Sequence, residues 1–528
     1  MNKDINITEL DGFSQELFQE LLRPAEKKAE PQDQEQQKAE DLLQKAQQED
    51  LTQPIVDLFQ VLLELRRKKG LTPLDLGLQE KELLQLAIKH QELDEHLVSI
   101  GGRVLKALPI VQEADQRMAE YLQKHPEQAP SGIELWDRIQ ENQERIKKVL
   151  GMQDQDWSSF TGQMQFAIES VQTLSKILDL PQKAVQDIQR VTKQYRMRLT
   201  PYYSSLIMPG VVNDPVLLQS VPTGEMVDNV GEEIPPVAAD HSPARLIDQF
   251  YPRVATIKAT NMCGMYCTHC LRIAHIGKKD RIYSKKAYQE ALDYIRRNTS
   301  IRDVLVTGGD AFVLPNSLLR WLLQELDAIE HVRLKRLGSR IPVTTPQRMD
   351  SELLDILEES NDKKPLRVVT QINTAQEITP ISRQTFGMIS KRVSAVLNQA
   401  VLLRGINDTR TKMWKLCETI QEAHVRPYYV FNCSYRNPQF AHLRVPVEVG
   451  RDIIESMYGN ISGDAIPRFI ATAGGKIPLH RSNVQGWEGS ELILKKPWNQ
   501  EEVRYPDASR EEHAREDFSF ARYGEGGY

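Results

Sequence analysis

A chain of 528 residues, 40% hydrophobic and 27% charged, has room for about three or four domains and enough apolar material for a sizeable core, which excludes wholesale disorder. Its 67 basic and 73 acidic side chains leave a net charge of −6, so no global basic field exists to hold nucleic acid or an anionic membrane. No apolar run approaches the roughly 20 residues that span a bilayer, the first residues lack a charged and then apolar leader, and five cysteines make no disulfide framework in this length. The expectation is a cytoplasmic protein that acts on a small molecule.

Residues 1–150 read as an accessory helical region. Its stretch from Arg23 to Asp50 is rich in Gln, Glu and Lys and too polar to offset its chain entropy by burial. Helical spacing appears at Ile55, Leu58, Phe59, Leu62, Leu63 and Leu65, and again at Leu84, Leu86 and Ile88. Residues 151–241 read as a further helical segment, ahead of the strand-rich half of the chain.

From about Ser242 the pattern changes. Short β-branched runs at Val254–Ile257, Val304–Val306, Val332–Leu337, Val368–Ile372, Val396–Leu403 and Tyr428–Phe431 suit strands covered on both faces. Amphipathic helix patterns such as Ser317–Ile329 and Arg410–Glu422 alternate with them. This alternation implies parallel strands with right-handed crossovers, and about six units fit a complete or partial α/β barrel over 242–495. Residues 496–528 read as a polar tail. Chemistry in such barrels sits at the carboxyl ends of the strands.

The loop after the first barrel strand holds Cys263, Cys267 and Cys270, three of the five cysteines within eight positions. Three thiolates can converge on one soft metal centre. A closed zinc site needs four ligands, which His269 could complete; three cysteines on a [4Fe-4S] cluster leave one iron free. Cysteines packed as small hydrophobes are the other alternative.

The spacing Cys-x3-Cys-x2-Cys resembles the signature of the radical S-adenosylmethionine (SAM) enzymes, and Thr307-Gly308-Gly309-Asp310 resembles their SAM-binding turn. Longer segments are similar to one branch, the lysine 2,3-aminomutase family. These are Cys263 through Arg272, Asp303 through Ala311, Arg336 through Arg348, Asn398 through Asp408, Leu199-Thr-Pro-Tyr-Tyr and Asn213-Asp-Pro-Val. The resemblance runs from about Asp156 to about Leu494.

It implies a partial (β/α)6-type radical SAM barrel preceded by a mostly α-helical N-terminal region, with a [4Fe-4S] cluster, SAM and pyridoxal 5'-phosphate (PLP). The implied reaction moves an amino group from C2 to C3 of an amino acid by way of a 5'-deoxyadenosyl radical. Gly308, Gly309, Asp310 and Gln399 fall among its cofactor-binding positions. Lys476, after Ala473-Gly474-Gly475, stands where the family's PLP lysine stands, although two glycines and a lysine also make an ordinary surface turn. Arg253, in Tyr251-Pro252-Arg253, and Arg340 are candidates for the PLP phosphate. Arg272 is the candidate for the substrate α-carboxylate, with a plain salt bridge as its alternative.

Where lysine-specific members place two aspartates against the distal ammonium, this chain has Ser434 and Thr472. Neither neutralises a buried ammonium. Arg436 and Arg468 lie nearby, so glutamate is the expected alternative substrate; both also read as solvated surface arginines. No zinc site is expected, since no cysteine follows Cys433 and Thr409 stands at the family's intersubunit cysteine. A flavodoxin or ferredoxin would supply electrons, and a homo-oligomer is compatible with the chain. A radical SAM enzyme modifying a lysine of a protein substrate, and a cluster-binding scaffold, are the other functional readings.

Overall fold

The computed structural model of the protein describes residues 113–114, 116–228, 230 and 242–524. The chain divides into two compact units, Met1–Glu120 and Tyr121–Tyr528, and the barrel belongs to the second. The polar stretch at 23–50 and the helical patterns between 55 and 88 lie outside the described residues. No helix among the described residues is long and apolar enough to cross a membrane.

Nine strands form one curled sheet in sequence order: β1 (Ile247–Tyr251), β2 (Val254–Thr260), β3 (Asp303–Gly308), β4 (Leu334–Gly338), β5 (Leu366–Thr370), β6 (Ala395–Leu402), β7 (Arg426–Asn432), β8 (Arg468–Thr472) and β9 (Lys476–Pro478). Strands β2 to β8 are parallel; β1 and β9 run antiparallel to their neighbours at the two edges. The result is an α/β half-barrel. All six predicted runs are strands, β2 to β7, while β1, β8 and β9 complete a sheet larger than the repeat pattern implied.

The crossovers are helical because their sequences cap and pattern them so. Ser284, Asp350, Thr379 and Thr409 each accept from a first-turn backbone N–H at the starts of Lys285–Arg297, Ser351–Lys363, Pro380–Ser390 and Arg410–Glu422. In Asn316–Asp327, Leu319, Leu322, Leu323 and Leu326 recur at helical spacing and are buried. The strands present one face to these helices. Lys335 of β4 is wholly buried there, bonded to Asp327 and, at 2.8 Å, to the Ser360 carbonyl, so its neighbour Arg336 points the other way, into the barrel lumen.

Helices Trp136–Leu150, Pro201–Ser205 and Pro215–Ser220 precede the barrel. The last two carry the buried Tyr202, Tyr203 and Gln219, which reach Thr379, Glu377, Arg340 and Asn373 around the strand ends. A three-stranded antiparallel sheet, β10 (Val484–Glu488), β11 (Glu491–Lys495) and β12 (Glu502–Pro506), comes after the barrel. Residues 496–524 thus include β12 and then a strap. Arg404 lies 3.9 Å from the Phe518 ring centroid, Phe520 N–H donates to Asn213 at 3.0 Å, and Tyr523 donates to Asp187 at 3.0 Å.

Candidate active site

The cysteine loop leaves the end of β2 and is held from beneath by the pre-barrel segment. Arg198 donates to the Cys263 carbonyl at 3.2 Å, Tyr266 N–H donates to the Arg198 carbonyl at 3.1 Å, and Thr268 N–H donates to the Gln219 carbonyl at 3.0 Å. Arg198 is itself fixed by Glu169 and by Asp280 at 2.7 Å. These backbone and side-chain ties set the loop's path before any metal binds.

The three thiols lie within electrostatic reach of one another. Burial pushes the Cys263 thiol up, and burial followed by the Cys267 charge pushes Cys270 up to about 12. Arg340 Nη1 stands 2.9 Å from Cys267 Sγ, the kind of donor a thiolate ligand accepts from. Among the described residues no three His, Cys, Asp or Glu side chains close on a single ion. A four-iron cluster spreads its ligands over a larger volume than one ion, and the donor set present, thiols beside a fixed cation, suits it. His269 is buried and faces Asn373, with its imidazole pushed down to about 3 by burial and then by Arg340.

The turn after β3 explains its glycines by packing. Gly308 has φ +116°, and a Cβ there would collide with the Thr260 carbonyl; Gly309 lies equally close to Met262 of the cysteine loop. Asp310 is buried and already used: it accepts from Phe312 N–H at 2.9 Å, Arg340 N–H at 2.5 Å and Ile341 N–H at 3.1 Å. The turn thus welds the ends of β3 and β4 to the cysteine loop. Gln399 lies half-buried on β6, in register with Tyr429.

Arg272 donates to Thr307 Oγ1, near the end of β3, at 3.4 Å and has no carboxylate partner among the described residues. Its guanidinium can accept a carboxylate from outside the chain. Arg340 is buried differently from what its phosphate candidacy requires. Its guanidinium is surrounded by Cys267, Tyr203, Gln219 and, at 2.6 Å, Glu377, so its charge is spent at the cysteine loop. Arg253 is exposed in the β1–β2 turn, where its carbonyl accepts from Arg302 and Asp303.

Lys476 begins β9. Gly474, at φ +69°, and Gly475, at φ +147°, make the turn before it, and a Cβ on Gly475 would meet the edge of the Trp498 ring at 2.5 Å. The ammonium nitrogen lies 4.7 Å from the Tyr429 ring centroid and 5.6 Å from that of Phe431, on the lumen side of β7. Burial and then the Arg336 charge lower the Lys476 amine from its ordinary value to about 8. Thr472 is the direct cross-strand partner of Lys476, and Ser434 is half-buried after β7, accepting from the Arg436 N–H at 3.2 Å. Arg436 is exposed over the Tyr435 ring; Arg468, on β8, is in register with Tyr429.

Sequence reasoning passed over Arg336, Tyr429 and Phe431, inside runs it located, and Arg367, one residue before such a run. The available signal was charge inside apolar strand runs, since an arginine between buried residues on a covered strand must face a lumen or a ligand.

No family model matches the chain. It is 36% identical over 380 residues to the glutamate 2,3-aminomutase of Clostridioides difficile (strain 630), a match covering 71% of this chain and 89% of that protein. It is 34% identical over 356 residues to the L-lysine 2,3-aminomutase of Clostridium subterminale, covering 66% and 85%. With the L-lysine 2,3-aminomutase of Bacillus subtilis (strain 168) it shares 32% identity over 365 residues, covering 68% and 77%. A half-barrel with a cysteine loop at its mouth, a lumen lysine of lowered pKa and relatives of this extent have one consistent meaning: the chain belongs to the lysine 2,3-aminomutase family and is an amino acid 2,3-aminomutase, an isomerase.

Proposed function

We propose that the enzyme is a cytoplasmic radical SAM and PLP-dependent 2,3-aminomutase whose substrate is an acidic amino acid of the glutamate class. The observation that carries this reading is the setting of Lys476: a lumen amine over two aromatic rings, with no unspent carboxylate beside it among the described residues. Cys263, Cys267 and Cys270 would hold the [4Fe-4S] cluster, the backbone around Gly308 and Gly309 with Gln399 would contact SAM, and Lys476 would hold PLP. When bound, the cluster with SAM supplies a hydrogen-abstracting carbon radical, and PLP supplies a carbonyl that delocalises an unpaired electron.

The chain's own groups prepare that chemistry. Lys476, lowered to about 8, presents a substantial share of neutral, nucleophilic amine at neutral pH. Tyr429 and Phe431 shield that amine from water. Arg272 orients the α-carboxylate at the mouth, directing the substrate's C2–C3 bond into the lumen. Arg340 and Glu377, buried together, fix the Cys267 side of the loop. Electrons would arrive from a small flavodoxin-like or ferredoxin-like donor.

The substrate class is argued from charge. An ammonium at the distal end would meet Ser434 and Thr472, while Asp303, the carboxylate acting on Lys476, is already paired with Arg336 at 2.8 Å. A lysine side chain would find no counter-ion there; the cation nearest to Ser434 in sequence is Arg436, exposed two residues on, while Arg468 is exposed at the opposite end of β8 from Thr472. The relative named glutamate 2,3-aminomutase supports the same class. An anaerobic assay of the reconstituted enzyme against a panel of amino acids tests this. β-Glutamate is the expected product, with lysine left unconverted; brisk conversion of lysine to β-lysine refutes the substrate class.

A further inference from the structure

PLP carries its phosphate arm on the ring carbon next to the one bearing the aldehyde. Whatever cation holds the phosphate must therefore stand one CH2–O–phosphate arm beyond the ring carbon next to the one that Lys476 would engage, on the lumen side. Neither sequence candidate meets this. Arg253 is exposed at the β1–β2 turn, and Arg340 is spent on Cys267 and Glu377.

Two other arginines face the lumen. Arg336 on β4 and Arg367 on β5 are direct register partners on adjacent parallel strands, which places their Cα atoms about 4.8 Å apart. Arg336 faces inward because Lys335 beside it is buried among the helices; Arg367 faces inward because Leu366 and Val368 on either side are wholly buried. Arg336 gives its Nε to Asp303 at 2.8 Å, and its two Nη groups make no bond among the described residues. Arg367 makes no hydrogen bond or ion pair among the described residues, and its Nε is buried without a partner. Side by side on one face, two guanidiniums with a single carboxylate, Asp303 on the far side of Arg336, repel each other, an arrangement that costs stability unless an anion joins them.

The pair is also contiguous with Lys476. Tyr428, which feels the Arg336 charge, packs against Tyr429 with ring centroids 4.0 Å apart and tilted by 45°, and Lys476 sits over the Tyr429 ring. Arg336 is the cation whose field acts on the Lys476 amine. We infer that Arg336 and Arg367 together form the seat of the PLP phosphate, the two free Nη groups of Arg336 and the guanidinium of Arg367 clasping the dianion while Asp303 fixes Arg336 in place. This inference rests on the reading of Lys476 as the PLP lysine, and it moves the phosphate site from the β1–β2 turn into the barrel wall. A forked, planar donor set matches a phosphate monoester better than lysines could.

The test is PLP binding to the full-length protein, followed by the visible absorbance of the bound cofactor and by borohydride trapping on Lys476, without turnover. Arg367→Gln and Arg336→Lys are compared with the parent; Arg336→Lys retains a charge for Asp303, so it does not depend on the fold tolerating an unpaired aspartate. Each is expected to weaken PLP binding about tenfold to a hundredfold, the loss of one charge-assisted contact. Binding of pyridoxal, which lacks the phosphate, is expected to stay within about twofold, and inorganic phosphate is expected to compete with PLP more strongly in the parent than in either variant. Parent-like PLP affinity in both variants overturns the seat, as does an equal loss for pyridoxal and PLP. An Arg253→Gln variant that alone weakens PLP returns the phosphate to the turn and likewise overturns it. If the parent itself traps no PLP on Lys476, the cofactor reading fails first, a result distinct from those.

Discussion

Replacing Lys476 by methionine should make the protein more stable at neutral pH while abolishing cofactor attachment. The amine falls from 10.5 to about 8, first because it is buried and second because Arg336 is near. A shift of that size corresponds to about 3.4 kcal/mol at 1.36 kcal/mol per unit, and discounting for a side chain that keeps some solvent contact leaves about 1–2 kcal/mol. The sign is fixed by linkage. Below pH 8 the amine is protonated in both the folded and unfolded states, so the folded protein bears the full cost of the charge in the lumen. Between pH 8 and 10.5 the unfolded chain binds the extra proton, and stability rises with pH. Methionine fits against Tyr429 and Phe431 without any charge, so the variant's advantage should be largest at pH 7 and shrink towards pH 10.5. Urea unfolding of parent and variant at pH 7 and pH 10 measures it. The same shift predicts about 10% free amine at pH 7, on the order of 300-fold more than an ordinary lysine. The pH profile of aldehyde trapping at Lys476 reads this directly. A trapping midpoint near 10.5, or a methionine variant no more stable than the parent at pH 7, would refute the reasoning.

Gly308→Ala forces a side chain onto φ +116° and against the Thr260 carbonyl, so it should lower stability by about 2–4 kcal/mol, seen as a reduced Tm, and loosen the cysteine loop enough to lower iron loading after anaerobic reconstitution. Arg272→Gln should raise KM for the amino acid about tenfold to a hundredfold by removing the free guanidinium at the mouth, while leaving substrate-independent SAM cleavage unchanged. A parallel loss of SAM cleavage would show that Arg272 instead holds the loop.

What the sequence determined by itself was the periodic and the local. Strand and helix alternation from Val254 to Phe431 depends on side-chain period and burial, so β2 to β7 were legible as strands, with ends displaced by up to three residues. The spacing of Cys263, Cys267 and Cys270 and the glycines before Lys476 were legible for a similar reason, because a loop's chemistry is carried by neighbours in the chain. Tertiary structure alone decided what those pieces meet. Arg340, a phosphate candidate in the sequence, is neutralised by Glu377 and turned towards Cys267, since its partners come from residues 203, 219 and 377, which no local pattern connects. Gly308 and Gly309 are required by the loop packed against them as well as by any ligand. Short β8 and β9, which deliver Lys476 to the lumen, carry too little periodicity to announce themselves. Arg336 and Arg367 lie 31 positions apart in sequence and become neighbours only because two parallel strands pair in register, a relation set by crossover length and by the helices that bury the opposite face.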